Sequence, residues 1–410
     1  MRPLSRGVFS SSAFQELRVP VPCSHGFLSV FGAAVLALLG HQAAVADDAA
    51  RVRSALEPII GPLMSQYAVP GMAVAISLHG QAHVLNFGVA SKASGQAVTD
   101  ATIFEVGSIS KTLTATLGAY AEATGKLSLS DHPGKYIPEL RGKAIDRATL
   151  LHFGTYTAGG LPLQFPEAVV GQKAMLAYYA DWRPAAPPAS IREYSNPSLG
   201  LFGLAASHAL GTSFASAMET LVFPAFGMTS TFIHVPERAA ANYAWGYRGE
   251  QAVRVNPGPM DEQTYGVKTT ASDLLRFVQA NLDPATLSGA MKRAVQSTQV
   301  GRFRAGPLVQ GLGWEQYGYP TSREWLLGGN AEEVIFDPQP VQKVLAGQQQ
   351  GPRLFNKTGS TGGFGAYVLF VPAAQFGLVI LANKNYPIPA RVEAAHAILT
   401  ALVGERPEGK

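Results

Sequence analysis

At 410 residues, with 47% hydrophobic and only 15% charged side chains, the chain can bury a large core, which excludes a wholly disordered protein. A formal net charge of +4 with no Lys/Arg-rich run or basic helix argues against nucleic acid as a partner. The single cysteine, Cys23, excludes a disulfide framework within the chain.

At the amino end, Arg2, Arg6 and Arg18 precede an apolar segment from Phe27 through Leu39, followed by Ala44-Val45-Ala46 and then Asp47-Asp48. This is the pattern of a secretory signal, residues 1–46, cleaved after Ala46. Cleavage would remove Cys23 and three arginines and leave residues 47–410. Thirteen residues from Phe27 to Leu39 fall short of the roughly 20 that span a bilayer, so no stable membrane anchor is expected after cleavage. Cys23 precedes the apolar segment, whereas a lipid-attachment cysteine should follow it.

The apolar pattern then predicts a helix from about Ala49 to Tyr67 and strands over Met72–Leu78 and Ala82–Gly88, with His79-Gly80-Gln81 turning a hairpin. His79 and His83 are the only two histidines four residues apart. They flank that turn with no glutamate beside them, so neither a metal nor a cofactor is expected.

Phe104-Glu105-Val106-Gly107-Ser108-Ile109-Ser110-Lys111 sets a serine and a lysine three residues apart where an apolar helix begins. One turn apart, the two side chains share a helical face. A hydroxyl is a weak nucleophile at neutral pH and needs a proton acceptor and a positive field, which Lys111 is placed to supply. The competing interpretation is structural: Ser108 as an N-cap and Lys111 as a solvated side chain. The helix is predicted to run to about Thr124 and to stop at Gly125.

Downstream, the Pro-rich run Arg183-Pro184-Ala185-Ala186-Pro187-Pro188 predicts that Tyr194-Ser195-Asn196 lies on a loop. Lys357-Thr358-Gly359-Ser360 precedes a glycine-rich turn and the apolar run Ala366–Val371, which places the second lysine on or beside a strand. Ala366–Val371 and Phe376–Ala382 form a second hairpin, and a helix from about Ala390 to Val403 closes the pattern.

Ser-x-x-Lys, Tyr-x-Asn and Lys-Thr-Gly, in this order and spread across most of the chain, resemble the penicillin-recognising serine enzymes and, among them, class C serine β-lactamases. Gly159-Gly160-Leu161-Pro162-Leu163-Gln164, Asn242–Tyr247, Tyr265–Lys268, Gly311–Glu315 and Leu381–Pro387 extend the likeness over nearly the whole chain after the signal. Class A enzymes carry Ser-Asp-Asn at the second motif, so Tyr194-Ser195-Asn196 is a departure that fits class C. Ile388 stands where many class C enzymes present an asparagine, which puts that contact with the substrate carboxylate in doubt.

The resemblance implies an α/β fold of the α+β type: an antiparallel sheet from about 47–107 and 350–410 flanked by terminal helices, a mostly helical insertion from about 108–349, and an active site at the junction. It implies catalytic roles for Ser108 as nucleophile, Tyr194 as proton shuttle, Lys111 as electrostatic support and Lys357 on the opposite strand. Gln164, Asn196, Tyr265, Thr358 and Ser360 are implied in substrate binding, with the backbone N–H groups of Ser108 and Ser360 as oxyanion donors. Taken singly, Tyr194 and Tyr265 could be core aromatics and Gln164 an ordinary surface residue. β-Lactams as small-molecule substrates, a monomer and a periplasmic location complete the expectation. A D-alanyl-D-alanine peptidase, a related carboxylesterase and a non-catalytic β-lactam sensor are the alternatives.

Overall fold

The computed structural model describes residues 48–345 and 348–404, so the expected signal segment, residues 1–46, lies outside the described residues. Helix α1 covers residues 48–66 and is followed by the hairpin β1 (Gly71–Leu78) and β2 (Gln81–Gly88). His79 and Gly80 take positive φ angles of 50° and 82°, which close the two-residue turn whose twist suits flanking strands. A short 3-10 turn, Gly107–Ile109, runs into α2 (Ser110–Ala123), which ends where Gly125 adopts a left-handed φ of 72°. Further on come α3 (Asn196–Leu210), α4 (Ala271–Leu282) and α5 (Gly289–Thr298).

Strands β3 (Phe303–Ala305), β4 (Leu308–Gln310), β5 (Glu315–Gly318) and β6 (Gln342–Lys343) precede β7 (Arg353–Ser360), β8 (Gly365–Val371), β9 (Phe376–Ala382) and the closing helix α6 (Ile388–Val403). These form one nine-stranded antiparallel sheet in the order β6-β3-β4-β5-β7-β8-β9-β1-β2. The two predicted hairpins meet towards one edge of the sheet, where β9 pairs with β1 from Met72↔Ala382 to Leu78↔Phe376 and β2 is the edge strand. The stretch between residues 108 and 349 is not helix alone, because it contributes β3 to β6. These strands are two to four residues long and interrupted by glycines, so they carry too few alternations to read as strands.

Alternate residues of the central strands serve two cores. Val379 and Leu381 face the layer containing α2, α3 and α4, while Phe376, Leu378 and Ile380 face α1 and α6. Packing α2 against α3 and α5, with α4 against β9 and β1, fixes the start of α2 beside the end of β7. No helix among the described residues is long and apolar enough to cross a membrane.

Candidate active site

Ser108 lies in the 3-10 turn that leads into α2, and its side chain caps neither helix end, so the N-cap role does not apply. The preceding Gly107 has φ 51°, and a Cβ there would meet the backbone N and O of Ser360 at 2.5 Å. Gly359 is equally constrained, since a Cβ would sit 2.0 Å from the carbonyl oxygen of Val106. These two glycines allow the end of β7 to press against the turn that carries Ser108. The backbone of Ser360 is thereby held beside that of Ser108.

Lys111 follows one turn later, fully buried, and its Nζ donates to Ser108 Oγ at 2.9 Å and to the carbonyl of Thr264 at 2.8 Å. Burial pulls its pKa down to about 8 against the opposing influence of Tyr194, and the neighbouring Lys357 ammonium pulls in the same direction as burial. Part of its population is therefore a neutral amine at mildly alkaline pH.

The Pro-rich run delivers Tyr194 to the same place from a different part of the chain. Ser195 caps α3 by accepting from the Ser198 N–H at 3.0 Å, so Asn196 is the first helical residue and does not lie on the loop. The helix start was hidden because Pro197, which reads as a breaker, suits the first turn. The Tyr194 ring centroid lies 5.2 Å from Lys111 Nζ, 4.8 Å from Lys357 Nζ and 4.9 Å from the Tyr156 ring. Its buried hydroxyl makes no hydrogen bond, although Ser108 is close enough to favour its anion. Burial opposes ionisation of the phenol, but the two ammonium groups outweigh it and bring the pKa below the ordinary tyrosine value.

Lys357, buried on β7, pairs with Glu315 at 3.5 Å, and Glu315 in turn pairs with the buried Arg192 at 3.2 Å. Arg192 also donates to Gln310 Oε1 at 2.8 Å and to the carbonyl of Val334 at 2.9 Å. A second buried cation, Arg391, donates to the Gly359 carbonyl at 2.7 Å and to Ser360 Oγ at 2.9 Å, and burial lowers its pKa to about 10. No sequence pattern singled out Arg192 or Arg391, and Glu315 stood only inside a segment of family likeness.

A cleft of about 490 Å³ opens over this junction, lined by Ser108, Tyr194 and Lys357 together with Gln164, Asn196, Tyr265, Thr358 and Ser360. All the expected binding residues thus reach one cavity, with Lys111 beneath it. The buried Asn196 Oδ1 has no hydrogen-bond partner, which leaves an acceptor at the cleft wall. Ile388 and Asn385 both line the cleft, so an apolar side chain stands where the resemblance places an asparagine. Among the described residues, no group of three or more His, Cys, Asp or Glu gathers around a possible metal position. Chemically, the cleft offers a hydroxyl, a phenol inclined to ionise and two lysine side chains, one lining it and one beneath it, which is equipment for acyl transfer.

Comparison with known proteins agrees with this chemistry. The family model described as Beta-lactamase matches residues 56–403. The chain is 48% identical over 354 residues to a β-lactamase of Pseudomonas fluorescens, covering 86% of this chain and 99% of that protein. It is 44% identical over 346 residues to a β-lactamase of Escherichia coli K12, covering 84% and 92% respectively. A solved structure of the D-alanine carboxypeptidase AmpC from Burkholderia cenocepacia superposes with a TM-score of 0.81 at 46% identity, over 87% of this chain and 99% of that one.

Proposed function

The chain belongs to the β-lactamase family, and from that premise we propose that it is a class C enzyme that hydrolyses β-lactams, cephalosporins foremost, through an acyl-enzyme on Ser108. The 2.9 Å contact between Lys111 Nζ and Ser108 Oγ, with Tyr194 and Lys357 at the same cleft, carries this reading. Ser108 Oγ attacks the lactam carbonyl carbon while its proton passes to the phenolate form of Tyr194, which the two lysine ammonium groups favour against burial. The tetrahedral oxyanion rests on the backbone N–H groups of Ser108 and Ser360, each such donor being worth roughly 2.7–4 kcal/mol. Collapse breaks the lactam C–N bond as Tyr194 returns the proton to nitrogen. A water activated by the same phenol then releases the ring-opened acid.

Lys357 attracts the substrate carboxylate, while Gln164 and Asn196 meet its amide side chain and Tyr265 walls one side. Export to the periplasm through residues 1–46, action as a monomer and resistance to β-lactams belong to the same proposal. A second reading, a D-alanine carboxypeptidase, is favoured by the name of the Burkholderia cenocepacia relative and by that of a Pseudomonas syringae structure, Beta-Lactamase/D-Alanine Carboxypeptidase. Steady-state assays separate them. Sustained turnover of a cephalosporin with negligible release of D-alanine from a D-alanyl-D-alanine peptide supports the lactamase, and the reverse pattern overturns it.

A further inference from the structure

Three residues before the nucleophile, Glu105 is buried to 1% exposure in a two-residue strand paired with Lys268 and Thr269. Its Oε1 accepts from the Tyr243 hydroxyl at 2.6 Å and from the Val255 backbone N–H at 2.7 Å, and its Oε2 accepts from Thr361 Oγ1 at 2.5 Å. The three donors come from two distant parts of the chain: the 243–255 segment, which carries a short hairpin of strands Gly246–Arg248 and Gln251–Val253, and Thr361 just after β7. Val255 and Thr361 both line the reaction cleft, whereas Glu105 lies behind them, out of reach of its contents.

The segment it holds has a second fastening at the same point. The Arg254 guanidinium is stacked between Tyr243 and Trp245, 3.9 Å and 4.1 Å from their ring centroids, and donates to the Tyr243 and Ala244 carbonyls. Arg254 and the largely buried Lys268 both feel the Glu105 charge. The Glu105 carboxyl group lies near both cations, and among the described residues its two oxygens accept the only side-chain hydrogen bonds that join these segments, beside the backbone bond from the Tyr247 N–H to the Gly363 carbonyl at 3.1 Å. Charge-assisted bonds of this kind are short and directional, and a neutral acceptor holds the same donors less firmly.

We propose that Glu105 is a positioning residue that fixes one wall of the cleft by clamping Val255 to Thr361, and thereby limits the size of the acyl substituent a substrate can carry. The proposal rests on the β-lactamase reading for its substrate, but the clamp itself does not depend on catalysis. Two measurements on the full chain test it, each made on Glu105→Gln and on Tyr243→Phe, which removes one donor and leaves the stacked ring.

Hydrogen exchange of the segment 251–257 is expected to quicken about tenfold in Glu105→Gln and about threefold in Tyr243→Phe, with β9 unchanged. The ratio of kcat/KM for ceftazidime, with its bulky branched acyl group, to that for 7-aminocephalosporanic acid, which has none, is expected to rise at least about fivefold, with kcat for the compact substrate within about twofold of wild type. Wild-type exchange at 251–257 in both variants, uniform acceleration through β9, or a parallel fall on both substrates overturns the proposal. If the wild-type protein turns over neither lactam, the lactamase reading fails, and the exchange data still decide the clamp. If Glu105→Gln does not fold, Tyr243→Phe decides alone.

Discussion

Strands β9 and β7 lie in the same sheet, separated only by β8, and both are buried, yet they are built from opposite materials. In β9 every residue from Phe376 to Ala382 is apolar or glycine and fully covered. In β7 the sheet buries Asn356, Lys357 and Thr358, and the ammonium group is tolerated only because Glu315 and then Arg192 stand behind it. Burying apolar area is non-directional and stabilises at roughly 25 cal/mol per Å², so β9 can be read and altered largely by volume. A buried charge is costly unless its partners are in place, so β7 spends stability on position. The molecule therefore divides into a part that holds the fold and a part that the fold holds.

That division makes substitutions in the two regions fail differently. Ser108→Ala should lower cephalosporin turnover by roughly three or more orders of magnitude without lowering the thermal midpoint; retention of much of the activity would remove the nucleophile. Tyr194→Phe should cost roughly 10²–10⁴-fold in kcat/KM, again with native stability. A near-native rate would mean that another group moves the proton. Leu378→Ala in β9 should do the converse, costing about 2–5 kcal/mol in denaturant unfolding while the molecules still folded keep their turnover.

The stability change expected at Lys111 is small and runs against intuition. Its pKa is about 8 in the folded protein against an ordinary value of 10.5, so between those values the unfolded chain binds more protons than the folded one. The penalty for burying its charge is thus fully present below about pH 8 and is relieved as pH rises to 10.5. Lys111→Met should inactivate the protein yet stabilise it by about 1 kcal/mol at pH 7, with the advantage shrinking as pH rises through that window. Unfolding curves at pH 7 and pH 10 check the sign.

What could be read beforehand follows the same division. The two hairpins and the closing helix have regular apolar patterns, so they were legible to within a residue or two. That Ser108, Lys111, Tyr194 and Lys357 gather at one junction was legible because each sits in a short motif and the motifs occur in a telling order. Glu105, Arg192, Glu315 and Arg391 were not, because a lone charged residue has no local pattern. Their importance comes from burial and from partners up to 256 residues away, as between Thr361 and Glu105. Asn196 departs from the expected loop for a local reason: capping by Ser195 and a proline in the first turn begin a helix directly after the Pro-rich run.

Mass spectrometry of the intact protein at intervals after mixing with a cephalosporin tests the central claim most directly. The account predicts a transient mass increase that maps to the peptide holding Ser108, disappears as ring-opened product accumulates, and never forms in Ser108→Ala. A lasting adduct with no product, or product formed without Ser108, would contradict it.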